Sequence, residues 1–222
     1  MRQTFNTVKY YAFWLIFFLI FKVFFLAYNH AIFFGLPASE IWGIFRHGII
    51  MDFSAAAYFT VLPALLFTFG FFIPNKIVPI TIKCYTIIAL IFLSTLGIVD
   101  MGLYQEWGSR INALALMYLN DLGGIYTSVT TKQTILTPIA LVLIVCLFAR
   151  MYNLILTTPK LRKEQYNLLS SFISLIVAAA LIIPVRRDLD RAPLNHSSVY
   201  FSTNLASNQA ATITFGTLVI PL

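Results

Sequence analysis

Between Tyr10 and Tyr28 the chain reads YYAFWLIFFLIFKVFFLAY, an apolar run broken by one charge, Lys22. A run of about 20 apolar residues, coiled at 1.5 Å per residue, matches the ~30 Å hydrocarbon core of a bilayer. Four further runs of this kind follow, at about 53–72, 78–99, 135–156 and 168–185. In hydrocarbon every backbone amide must find its partner inside the protein, and runs of this length do so as helices. A β-barrel would show short alternating segments instead. The expected fold is therefore all-α: a polytopic membrane protein of about five transmembrane helices.

Composition supports this. Hydrophobic residues make up 59% of the 222 positions and charged residues 10%, where a soluble domain carries about 25% charge. The net charge of +7 sits mostly beside the spans, so topology and anionic lipid explain it better than nucleic acid, which is not expected as a partner. Lys and Arg counts favour an N-terminus inside: Arg2, Lys9, Lys76, Arg150, Lys160, Arg162 and Lys163 fall on that side. Arg46, Arg110, Lys132, Arg186, Arg187 and Arg191 fall on the other. Five crossings then place the tail, 186–222, outside. The first run lacks a cleavage site and reads as a retained signal anchor. Cys84 and Cys146 lie in apolar runs without a metal-ligand spacing and read as small buried hydrophobes,.

Ionisable groups within or beside spans are functional candidates. Lys22 is either the partner of a carboxylate such as Asp52 or Asp100, or a lysine that snorkels to the interface. Residues 39–52 read as an amphipathic lead-in to the second span. At 100° per residue, His47, Met51, Ser54 and Tyr58 share one stripe, and Asp52, Ala56, Phe59 and Pro63 another. Arg46, His47 and Asp52 could meet a polar head group or pair between helices. The small residues Ser54-Ala55-Ala56-Ala57 allow close helix approach. After the third span, Asp100, Glu106 and Arg110 lie in a polar and aromatic stretch running to Thr134. Glu106 and Arg110 have the i,i+4 spacing of a surface ion pair on a short helix,. Asp188 and Asp190 beside three arginines read as a solvated cluster. There is no GxSxG, HExxH or P-loop, and the three histidines are isolated, so no catalytic or metal-ligating residue is assigned,.

Three segments carry a resemblance: RHGIIMDFSAAAY (46–58), DMGLYQEWGSRINALALMYL (100–119) and APLNHSSVYFSTNLASN (192–208). In this order around five spans, the chain resembles the membrane half of lipoteichoic-acid-synthase-like phosphoglycerol transferases, sulfatase-fold proteins of the alkaline phosphatase superfamily. The tail residues Asn195, Ser197, Ser198, Val199, Tyr200, Phe201 and Ser202 match that family's segment preceding its catalytic domain. The resemblance implies a bacterial inner-membrane protein whose partners are membrane lipids and a lipid-linked substrate. It implies a large outer domain with a Thr nucleophile and a divalent metal, commonly manganese. No residue of this chain takes either role, so the chain is expected to be inactive alone. From Thr212 the text TITFGTLVIPL leaves the family pattern. Codons exist for it that spell N-N-F-W-N-F-G-Y-S-L in another frame, similar to the family's W-N-x-x-Y-S-L. A frameshift near residue 212 is expected, and resequencing the codons for Ala211–Leu222 tests it. The alternative functions are a non-catalytic membrane scaffold or a small transporter subunit.

Overall fold

The computed structural model describes residues 2–70, 72–74, 77–111, 131–156, 168–186 and 196–214. These form α1 (Arg2–Tyr28), α2 (His30–Phe33), α3 (Ala38–Phe69), α4 (Ile77–Trp107), α5 (Thr131–Leu156), α6 (Leu168–Ala180), α7 (Ile182–Arg186), a 3-10 turn (His196–Val199) and α8 (Leu205–Ala211). No strand occurs among the described residues. α1, α3, α4 and α5 are each long and apolar enough to cross a membrane. The fifth apolar segment is shorter: α6 and α7 are separated at Leu181.

Two helices reach beyond their apolar runs. The lead-in at 39–52 is continuous with the second run as the first part of the 32-residue α3. The helix that carries the third run extends past Val99. It continues to Trp107, and Gly108 turns the chain out of the helix at φ +65°, a conformation that glycine adopts without a Cβ clash. A helix already satisfying its own backbone has no reason to stop where polarity begins. The loop at 112–130, the basic connection at 157–167 and the cluster of Arg187, Asp188, Asp190 and Arg191 lie outside the described residues.

α1 is the central helix, packed by α3, α4, α5 and α6. Its aromatic side chains fill the core: Trp14 stacks tilted on Phe59 at 5.0 Å, and Phe17 meets Phe148 edge-on at 4.7 Å. On α3 the small residues Ser54, Ala55, Ala56 and Ala57 are all buried, Ala55 and Ala56 in the cluster with the α1 aromatics and Ala57 with Ala178 and Leu181,. Polar side chains fasten the helices: Tyr10 Oη to Thr86 Oγ1 at 2.8 Å, and Thr68 Oγ1 to Ser174 Oγ at 3.1 Å.

Pro63 sits inside α3. It has no N–H for the carbonyl of Phe59, one turn earlier. Tyr85 of α4 donates its hydroxyl to that carbonyl at 3.3 Å, so a hydrogen bond lost to proline returns from a neighbouring helix. Cys84 and Cys146 are exposed, not buried as expected. In lipid a thiol on the outer face of a helix meets only hydrocarbon, so nothing forces it inward.

Candidate functional site

The described ion pairs collect at one end of the bundle, where α1 and α4 finish, α3 begins and the tail returns. Lys22 points from α1 into the core and donates to Asp52 Oδ2 of α3 at 2.6 Å, both side chains at most 2% exposed. Of its two readings, then, the lysine is a partner for a carboxylate and does not snorkel. Gly48, one turn before Asp52 on α3, makes room for it. A Cβ at that position would collide with Lys22 Nζ and with the carbonyl of Ala211.

The second pair is Arg110 with Asp100, Nε to Oδ2 at 3.0 Å, both buried. The expected Glu106–Arg110 surface pair does not form. The helix has ended at Trp107, the positive φ of Gly108 swings Arg110 inward, and Glu106 stays exposed. Asp100 also accepts the backbone N–H of Ile111 at 2.7 Å, so it anchors the turn as well as the cation. The guanidinium lies 4.1 Å from the centre of the Phe25 ring, a cation–π contact,.

The tail closes over both pairs. Arg110 Nη2 donates to the Thr212 carbonyl at 3.4 Å and the Thr214 hydroxyl at 3.3 Å, while Thr214 donates to Asp100 Oδ2 at 2.9 Å. A cavity of ≈ 30 Å³ remains between Lys22, Arg110, Gly97 and Thr212, enough for a water or two. Further out, Ser202 donates to Glu40 Oε1 at 2.8 Å, and the His47 ring stacks on Phe201 at 4.7 Å and 3°. His47 Nδ1 also lies 3.0 Å from the Gly43 carbonyl. Gly43 leaves space that the Phe201 ring fills.

The tail holds its own shape by local side-chain bonds. Asn204 caps α8 by accepting from Ala206 N at 2.9 Å,. Asn208 accepts from the backbone N–H of Phe201 and Ser202 and donates to the Ser202 carbonyl at 2.6 Å. One asparagine thus closes the turn that presents Phe201 and Ser202 to α3.

Of the candidate residues, Lys22, Asp52, Asp100 and Arg110 come together, and His47 lies beside them under Phe201. Arg46 and Glu106 are exposed and stand apart. Glu40, Gly48, Asn208, Thr212 and Thr214 were not foreseen as parts of the site. Asn204 followed by a helix-forming stretch was a readable cap signal; the others have only neutral or small side chains, or lie outside the apolar runs. Compared with known protein families, curated proteins and solved structures, the chain matches none. The chemistry of the site is therefore read from its geometry. Each carboxylate is neutralised by its own cation, and no three His, Cys, Asp or Glu side chains converge among the described residues. What the two pairs do is hold the tail against the helix ends.

Proposed function

We propose that the chain is the membrane domain of a lipoteichoic-acid-synthase-like phosphoglycerol transferase in a bacterial inner membrane. It would cross five times, with its N-terminus inside and its tail on the outer face. Its task would be to anchor and orient an outer metal-dependent domain over lipid head groups. The observation that carries the reading is the docked tail. Phe201 and Ser202, which precede the point where the family pattern is lost, are tied to α3 through their side chains. A segment leading from membrane to enzyme has no need of these ties unless its direction matters. α6 and α7 together span 168–186, about 28 Å at helical rise,, the length of one crossing.

A small transporter needs a polar path through the bundle. Away from the charge cluster, the core around α1 is filled by Phe13, Trp14 and Phe17, which favours the anchor reading. To test it, a sulfatase-type phosphoglycerol transferase domain is joined after Thr214, and transfer from labelled phosphatidylglycerol is measured in membranes with manganese. Expected is faster transfer than with the same domain on an unrelated membrane anchor. Equal rates would reduce the chain to a scaffold. A reporter enzyme active only outside, fused after Thr214, must be active; inactivity there overturns the orientation.

A further inference from the structure

Two exposed tryptophans stand at one height on helices that run in opposite directions. Trp42 of α3 precedes Asp52 by ten residues, about 15 Å at helical rise, and Trp107 of α4 follows Gly97 by the same distance,. Asp52 and Gly97 are each tied to neighbouring residues of α1. Asp52 pairs with Lys22, and the Phe21 ring fills the space that a Cβ on Gly97 would take. The two indoles are 68% and 52% exposed, and Tyr28, where α1 ends, is exposed as well. α4 supplies the scale. Its exposed charges, Lys83 and Glu106, lie about 34 Å apart at helical rise. Between them the sequence carries one charge, Asp100, and it is buried. The exposed residues there, Ile88, Ile91, Phe92 and Val99 among them, make an uncharged band that matches the ~30 Å hydrocarbon layer,. Glu106 and Trp107 mark its outer edge, where tryptophan is enriched.

The tail starts at this edge and goes below it. Ser202 bonds to Glu40, just outward of Trp42 on α3. Ala211 lies against Gly48, six residues past Trp42 and so about 9 Å deeper,. Ala210 shares a buried cluster with Phe25, Phe33, Ile44 and Tyr104. α8, about 10 Å long at helical rise, covers the drop,. We propose that the tail re-enters the membrane. The turn at 200–204 rests in the phospholipid head-group layer with Tyr200 and Leu205 turned to lipid, and α8 carries Ala210 and Ala211 into the hydrocarbon thickness. Backbone outside a spanning helix is tolerated at that depth only where protein covers it. Here Asn208 satisfies the backbone of the turn, and Ala210 and Ala211 are fully buried. A layer low enough to leave all of α8 in water would strand Trp42 and Trp107 about 9 Å outside it. The placement stands apart from the proposed function, because depth is read with no enzyme domain present, and it uses no residue beyond Ala211.

The full chain is placed in phosphatidylcholine vesicles whose acyl chains carry bromine either near the head group or near the chain end. Cys84 and Cys146, both exposed, are first replaced by alanine, and a bimane fluorophore is attached at Leu205→Cys, at Tyr200→Cys or at Ile91→Cys, all at exposed positions. Expected at 205 and 200 is quenching at least twofold stronger by the shallow bromines than by the deep ones, with the order reversed at 91. The indole signals of Trp42 and Trp107, each obtained as the difference from its Phe variant, should show the same shallow preference as 205. Helical content is compared first, and Tyr200→Cys carries the test if Leu205→Cys does not fold. Bimane at 205 and 200 that neither lipid quenches would put the tail in water and overturn the proposal. So would tryptophans that differ in their preference, because the height that places the tail is then lost.

Discussion

The ammonium of Lys22 and the carboxylate of Asp52 meet at 2.6 Å between α1 and α3, both almost sealed from their surroundings. Lys22 lies about 9 Å inside the end of α1,, too deep for an unpaired charge to rest without cost. Each residue explains the other, and the pair fixes the register of the two most closely packed helices.

Breaking that pair on one side leaves a buried charge alone. Lys22→Met or Asp52→Leu should each destabilise by about 3–5 kcal/mol, whereas the double variant should return to within about 1 kcal/mol of wild type. Unfolding by sodium dodecyl sulfate in mixed micelles measures all three. Two additive losses would show that the ion pair is not the unit that matters.

Gly48 and Gly102 offer a contrast between glycines in helices. Gly48→Ala drives a methyl group into Lys22 Nζ and the Ala211 carbonyl and should cost about 1–3 kcal/mol through overpacking. The damage should appear as faster amide exchange in α8. Gly102→Ala meets open space and should be neutral or stabilising by up to about 1 kcal/mol.

Much of the fold was legible because apolar run length is a direct consequence of bilayer thickness. The runs at 10–28, 78–99 and 135–156 each fall within a described helix, and that at 53–72 overruns the end of α3 at Phe69. Helix ends were less legible: polarity marks where a chain leaves lipid, not where its backbone stops coiling, so α3 begins before its apolar run and α4 outlasts its own. The site was legible in part. Lys22 stood out as a charge deep in a span and Asp52, Asp100 and Arg110 as charges beside spans, yet sequence spacing joined Arg110 to Glu106 on a short surface helix. The turn at Gly108 decided otherwise. The tail contacts were hidden because Phe201 and Ser202 carry no signal of burial until Asn208 closes the turn that presents them, and Thr212 and Thr214 none until Arg110 turns inward.

The pairing of Arg110 is open to a direct comparison. Glu106→Ala should leave stability and tail exchange unchanged, because Glu106 is exposed and its expected partner faces Asp100. Arg110→Lys keeps the charge but loses the planar fork that reaches Asp100, Thr212 and Thr214 together. It should cost about 1–3 kcal/mol and speed amide exchange at 212–214. A loss with Glu106→Ala as large as that with Arg110→Lys would restore the surface pair.

The proline in α3 yields the sharpest double-mutant cycle. Tyr85→Phe removes the hydroxyl that serves the Phe59 carbonyl and should cost about 1 kcal/mol, in the range of hydrogen bonds between helices in membranes. Pro63→Ala supplies a backbone N–H to the same carbonyl, so in that background Tyr85→Phe should cost nearly nothing. The coupling between the two changes, read from mixed-micelle unfolding of the four proteins, should therefore approach the full single-variant loss. If Tyr85→Phe costs the same with alanine at 63, the tyrosine serves packing alone and the carbonyl of Phe59 is satisfied some other way.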